Sequence, residues 1–599
     1  MNSPIVILPP LVSFAASRPT ATPRPAQDDL WIGRRLPCAS AAPSALPNRI
    51  APLTQWFRQL YLRGNANTAN LVLAAAVLFF SAVPFFPSSP AFAQNAPAAT
   101  ATQPKISDPC TGGREIATTD CALTWHGITV YGAYDVGAGW VSHGLPQSPY
   151  NYEGSSLVNR NASSSRFLVE PDNLSQTGFG VRGKIALHGW HGWSAVFNAS
   201  TGINPQSGQL ANASRTQIDD NGLDRSEYSM AIDGARAGQP LNDEYYGGLS
   251  SENFGTLTFG RQRSLGTDVM LQFDPAGGSY AFSYIGYNGT MAGGGDTEDT
   301  RWDDAVKYRI IFGPAHFAAM GKFADGTAGC YSAAAAQGNT WTADSCEPLK
   351  PHNTAYGFDI GAGNKRVSGD VVYQRYSDAI SVLNPLLGPT SRSSPLSSGY
   401  EYNTDSIDQT SITGPNVIDP QNTVYGIVTD NRAIMGAAKY TGEQFKFYLG
   451  YEFIRQANPD NPLGVGATDQ GGYLMSGVED TNLDSTKIVN IWWTGVKYSY
   501  DARNDITLSF YEQVQNDFRR PSTCSTNPAI GNMRASCAGT LNEGSLYENH
   551  HFTKRFDGFA GVAYSWVTGG LAIAIPHGPG VRYLHNSNWA PTFGGRVTF

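Results

Sequence analysis

The side chains that could do covalent or metal chemistry are few. Six cysteines fall into three sequence-local pairs, Cys110 with Cys121, Cys330 with Cys346 and Cys524 with Cys537, while Cys38 stands apart near the N-terminus. An even set in an exported chain reads as disulfides closing short loops, and proximity favours the local pairing over the other connectivities. Zinc is the competing reading, but there is no C-x-x-C and no histidine at finger spacing. His188 and His191 form an H-x-x-H, yet Trp190 and Trp193 interleave with them, and an interfacial aromatic girdle explains that composition better. His550-His551 falls at a strand end. No G-x-S-x-G, phosphate-binding loop, dinucleotide fingerprint or H-E-x-x-H occurs, and Gly361-Ala362-Gly363-Asn364-Lys365 reads as a turn. The expectation is a chain without catalytic residues, metal or cofactor.

The elements that must position these residues begin after an export segment. Residues 1–70 are rich in Pro, Ala and Arg, with Asp28 and Asp29 their only acids, and lead into an apolar run from Leu71 to Phe86. Arg49, Arg58 and Arg63, that run, and the small-x-small site ending at Ala93 together form a signal peptide with an unusually long N-region. The expected division is 1–93, removed on export; 94–125, a short segment holding a disulfide; and 126–599, the main body. The remainder carries 34 basic against 47 acidic residues, a net of -13. That balance argues against nucleic acid as a partner. Only 15% of all residues are charged, against about 25% in soluble domains. No other apolar segment is long enough to span a bilayer as a helix, so a membrane form would have to be a closed barrel.

Period-two alternation supports strands. Phe445, Phe447, Leu449, Tyr451 and Phe453 share one face and Lys446 and Glu452 the other; 179–187 and 593–599 alternate in the same way. A soluble sandwich would turn the apolar face to a core, a membrane barrel to lipid. Connection lengths separate the two. Short connections near 188–192, 250–253, 313–315, 363–365, 441–444, 501–504 and 553–557 alternate with long stretches at about 143–176, 203–242, 265–300, 325–352, 378–429, 457–486, 517–544 and 567–589. Eight long and seven short connections join sixteen strands and put every long one on the same rim. The predicted fold is all-β, a transmembrane antiparallel 16-stranded β-barrel, wide enough for an aqueous channel.

The ordered marks Gly132-Ala133-Tyr134-Asp135, Phe179-Gly180-Val181-Arg182-Gly183, Gly248-Leu249, Phe254 to Gln262, Arg301 to Tyr308, Thr553 to Asp557 and a terminal Phe599 resemble the Gram-negative general porins over about 125–599. The resemblance implies a homotrimer in the outer membrane, with Phe599 read by the barrel assembly machinery. It also implies that the third long loop folds into the lumen as a constriction. Its acids would then be Asp274, Asp296, Glu298 and Asp299, facing a basic wall of Arg182, Lys184, Arg261, Arg263 and Arg301. Two positions depart from the family pattern: Gly178 stands where an Arg is common, and Asp274-Pro275-Ala276-Gly277-Gly278 where Pro-Glu-Phe-Gly-Gly is usual. Opposed charges across a narrow pore create a transverse field that orients solutes and sets ion preference. The net negative charge suggests weak cation preference for a passive pore carrying ions and small hydrophilic solutes. Two alternatives stay open: a substrate-specific channel for sugars or organic acids, using the many Tyr and Trp as a track, and a secreted β-rich binding protein.

Overall fold

A computed structural model describes residues 110, 115, 119, 121–144, 165–190, 192–206, 208–211, 240–287, 300–323, 354–383, 424–458, 466–470, 473–480, 483, 485–518, 538–572 and 585–599. Sixteen strands form the wall: β1 (Ile128–Val141), β2 (Gly178–Ala186), β3 (Trp193–Gly202), β4 (Tyr245–Ser251), β5 (Gly255–Arg263), β6 (Arg301–Phe312), β7 (Ala315–Lys322) and β8 (Thr354–Gly363) make the first half. The second half is β9 (Val367–Leu383), β10 (Val424–Thr441), β11 (Phe445–Ala457), β12 (Lys487–Ser499), β13 (Asn504–Gln515), β14 (Gly539–His551), β15 (Phe556–Gly569) and β16 (Ser587–Thr598). Each pairs antiparallel with the next, and β16 closes on β1 in the register Ala133↔Thr598 to Gly139↔Thr592. Closure leaves no open edge among these strands, the condition under which strands can cross a bilayer.

Alternation sets which face looks out. In β11, Phe445, Phe447 and Leu449 are exposed while Tyr448 and Glu452 are buried; in β13, Leu508 and Phe510 are exposed while Ser509, Tyr511 and Gln513 are buried. In water such rows would be a liability, whereas in lipid they are the solvent-facing surface. Trp125, Trp190 and Phe254 are exposed beside the short turns, and Trp193 stacks on Phe254 at 5.8 Å, as an aromatic girdle requires. The tightest turn holds Gly313 at φ 62°, a left-handed conformation that favours glycine.

Three of the stretches expected as long connections, 143–176, 378–429 and 457–486, contain strand. β9 runs to Leu383 and β10 starts at Val424, so the wall continues where composition suggested a connection. Within 457–486, the hairpin of Gly466–Gln470 and Tyr473–Asp480 lays its second strand parallel to the start of β10. The strands in 378–429 and 457–486 are short runs, with Ile380, Val382, Val424, Ile427, Val428 and Val478 among them, lying inside longer stretches whose Gly, Ser, Asn and Pro content masked them. Two further short strands, Leu123–Trp125 and Arg166–Pro171, pair with opposite ends of β1.

The N-terminal segment is tied beneath the wall. Cys110 and Cys121 form a disulfide. Arg555, in the turn between β14 and β15, donates to the carbonyls of Thr119 and Cys121 and fixes that segment to the barrel. Cys330, Cys346, Cys524 and Cys537 lie outside the described residues, as do 1–93 and His191. Phe599 exchanges backbone hydrogen bonds with Gly132 at 2.9 and 3.0 Å, and its ring lies where a Cβ on Gly132 would be 2.6 Å from Cζ.

Candidate pore constriction

The third long connection turns inward at Ser264, whose side chain caps helix α1 (Leu265–Phe273) by accepting from the Thr267 amide. Leu265, Val269 and Phe273 recur at helical spacing and bury against Val372, Tyr376, Met435 and Trp493 of the inner wall. Polar contacts then fix the helix along its length. The Gly266 amide donates to Gln374 Oε1 at 2.6 Å, Lys439 Nζ to the Gln272 carbonyl at 3.2 Å, and Trp493 Nε1 to the Phe273 carbonyl at 3.1 Å.

Beyond the helix, Asp274 latches the loop to the far wall. Its carboxylate accepts from the Tyr511 hydroxyl at 2.6 Å and from the amides of Ala276 and Gly278 at 3.2 and 2.6 Å. Phe282 stacks on Tyr547 at 4.5 Å and meets Phe559 edge-on, while its carbonyl accepts from Ser545 Oγ at 2.6 Å. Helix α2 (Tyr284–Tyr287) adds a hydrogen bond from Tyr284 to Gln513. The described part of this loop is therefore bonded to β9, β10, β12, β13 and β14.

The first long connection braces it from the other side. Asp135 on β1 accepts from the amides of Asn173, Leu174 and Ser175 at 3.1, 2.8 and 3.0 Å, which shapes that turn. The turn in turn presents the Asn173 carbonyl to the Ala281 amide and Gln176 Nε2 to the Tyr280 hydroxyl.

The five basic residues expected along one wall divide into two groups. Arg182 and Lys184 share the inward face of β2; Arg182 lies over the Tyr131 ring at 4.8 Å, and Lys184 is exposed. Arg261, Arg263 and Arg301 instead gather at the foot of the second long connection. Arg261 is buried, pairing with Asp303 at 2.8 Å and donating to the Asn242 carbonyl. Arg301 pairs with Asp243 at 2.6 Å and reaches Gln176, and Arg263 lies 3.8 Å from the same carboxylate. Asp274 is engaged by Tyr511 and by its own loop's amides and forms no ion pair with either group, and Asp296, Glu298 and Asp299 lie outside the described residues.

One charged set escaped the sequence reading. Asp268, buried in α1, accepts from Lys307 at 2.5 Å and Arg309 at 2.8 Å, so the helix is ion-paired to β6 as well as packed. The available signal was a single acid in an apolar nine-residue helix together with two bases two positions apart on one strand.

A closed wall of sixteen antiparallel strands, lipid-facing outside and polar within, defines an outer-membrane β-barrel. The chain belongs to the Gram-negative porin family, whose sequence profile matches residues 73–565, and it is an outer-membrane channel. Among solved structures it is similar to the anion-selective porin from Comamonas acidovorans, at 13% identity and TM-score 0.43 over 79% of this chain and 99% of that one. It is also similar to outer-membrane expressed OmpT of Vibrio cholerae, at 10% identity and TM-score 0.41 over 80% of this chain and 100% of that one. A third is the outer membrane channel DcaP of Acinetobacter baumannii, at 10% identity and TM-score 0.38 over 80% of this chain and 99% of that one. No curated protein sequence matches the chain.

Proposed function

We propose that the protein is a passive, water-filled pore for ions and small hydrophilic solutes, narrowed by the third long connection and working as a homotrimer with weak cation preference. The observation that carries this reading is the set of hydrogen bonds, ion pairs and ring contacts holding 265–287 against β6, β9, β10, β12, β13, β14 and β15. Nothing in the pore is asked to break a bond. Export with loss of 1–93 and recognition of Phe599 by the barrel assembly machinery belong to the same reading. The net charge of -13 over residues 94–599 favours cations, and Arg261 and Arg301 are already neutralised by acids in contact. Single-channel recording in planar bilayers under a salt gradient tests it: conductance in steps of three with a modest cation reversal potential is expected. A protein that never conducts would end it, and a saturable block by one sugar or organic acid would favour a substrate-specific channel.

The two basic groups give opposite expectations for selectivity. Arg182→Ala with Lys184→Ala removes charge from one inward face, so the reversal potential should move further toward cations. Removing Arg261 and Asp303 together deletes a neutral pair and should leave it unchanged. Equal reversal potentials in wild type and the Arg182/Lys184 variant would remove β2 from the constriction.

Loop docking should also depend on pH. Burial raises the Asp274 carboxyl above the ordinary carboxylate range despite donation from Tyr511 and Gly278. Burial opposes ionisation of Asp268 too, but Lys307 and Arg309 outweigh it and hold that carboxyl below the ordinary range. The docked loop thus holds the Asp274 proton more tightly than the free loop, and docking strengthens as pH falls through the raised value. The Asp268 contribution is complete above the ordinary carboxylate value and is lost only as pH falls through its depressed one. Transient openings are expected to become fewer as pH falls through the raised Asp274 value and before it reaches the depressed Asp268 value; more openings on that acidification would contradict the assignment.

A further inference from the structure

Three neighbouring strands set a histidine between two aspartates on the inner wall. His316 on β7, Asp359 on β8 and Asp370 on β9 have side chains 9%, 3% and 3% exposed. His316 Nε2 lies 3.1 Å from Asp359 Oδ2 and 3.6 Å from Asp370 Oδ2, and one donor atom from each residue falls within 4.8 Å of the others. Gly361 sits between His316 and Asp370 in the strand register. A Cβ there would come 2.0 Å from Asp370 Oδ1 and 2.2 Å from His316 Cε1, so the missing side chain is what lets the two meet.

Charge balance distinguishes this trio from a structural ion pair. Two carboxylates share one imidazole, and the buried Asp359 Oδ1 has no hydrogen-bond partner. The cations acting on the trio are Arg309 and Lys439, and each has another engagement: Arg309 with Asp268 at 2.8 Å, Lys439 with the Gln272 carbonyl and the Phe273 ring. The barrel supplies its own contrast. His551 also bridges two aspartates, Asp505 and Asp557, but there Lys497 pairs with Asp505 at 3.0 Å and Arg596 with Asp557 at 2.5 Å. At that second site each carboxylate has a Lys or Arg in direct contact, whereas at the first, among the described residues, His316 is the only basic group in contact and Arg309 and Lys439 act from a distance.

We propose that His316, Asp359 and Asp370 form a binding site for a divalent transition-metal cation, with Zn²⁺ the best-matched ion, on the inner wall of the barrel. Zinc bonds to imidazole nitrogen and carboxylate oxygen are about 2.0–2.2 Å, which puts tetrahedral ligand atoms about 3.4 Å apart. The two distances from His316, 3.1 and 3.6 Å, bracket that separation, and the two carboxylates lie within 4.8 Å of each other. One nitrogen and two oxygens suit zinc better than a hard cation such as Mg²⁺, and three protein ligands leave a fourth position for water. A bound dication would add to His316 a direct counter-charge for two buried carboxylates that have no Lys or Arg in contact.

The test is calorimetric titration of Zn²⁺ into the protein extracted from outer membranes and cleared with EDTA. Saturable binding is expected in wild type, with His316→Ala and Asp370→Asn each losing one site per chain or weakening it at least tenfold. His551→Ala should bind as wild type does. Gly361→Ala keeps all three ligands but blocks their approach, and should lose the same site. Far-UV circular dichroism identifies folded variants, and Gly361→Ala decides the matter if a ligand variant does not fold. No saturable binding in wild type, or equal zinc binding by folded His316→Ala or Gly361→Ala, overturns the proposal.

Discussion

Asp274→Ala is expected to unlatch the third loop and raise both the conductance and the open-channel noise of a barrel that otherwise stays intact. The substitution strands the Tyr511 hydroxyl and the amides of Ala276 and Gly278, all of which this carboxylate satisfies. Leaving buried donors unmatched costs about 2–3 kcal/mol in total once the loop relaxes. The undocked population should then grow roughly 30- to 140-fold. Asp274→Asn keeps one acceptor for Tyr511 and Ala276 but turns an amide N–H toward the Gly278 amide, so it should fall between wild type and Asp274→Ala. The latch assignment fails if Asp274→Ala conducts with the same step size and noise as wild type.

Trp493→Ala should give the largest loss of stability. Trp493 is 1% exposed, sits against a glycine, Gly450, where a Cβ would overlap its ring, and donates to the Phe273 carbonyl. Truncating a buried tryptophan costs about 3–5 kcal/mol. Part of that loss frees the end of α1, so the variant should combine lower resistance to urea in lipid vesicles with flickering current. Trp493→Phe restores most of the ring and should recover the urea midpoint without recovering the hydrogen bond to Phe273. A midpoint unchanged in Trp493→Ala would show that the ring does not anchor the loop.

Much of the barrel was legible in the chain for a simple reason: a strand between lipid and water must alternate, and alternation is local. Phe445, Phe447 and Leu449 announce their face without reference to anything distant. Connection lengths are equally local, and their strict alternation gave the strand number and the closing antiparallel order. Local rules failed where short strand-favouring runs were embedded in long polar stretches, as in the extended ends of β9 and β10 and in the 466–480 hairpin.

The lumen was less readable. Arg182, Lys184, Arg261, Arg263 and Arg301 share a residue type but not a role, since the fold brings Asp303 to Arg261 and Asp243 to Arg301 while leaving Arg182 over a tyrosine ring. Asp268 meets Lys307 and Arg309 only because α1 crosses in front of β6. Phe282 and Ser545 are 263 positions apart, a separation at which sequence carries no proximity signal. The same holds for His316, Asp359 and Asp370, which share no motif and become a cluster only when three strands align around Gly361. Sequence by itself determined the strand count, the lipid-facing residues and the sidedness of the loops, because each follows from period and length. Tertiary structure alone decided which charges neutralise one another, because that depends on distances across the barrel that no local rule encodes.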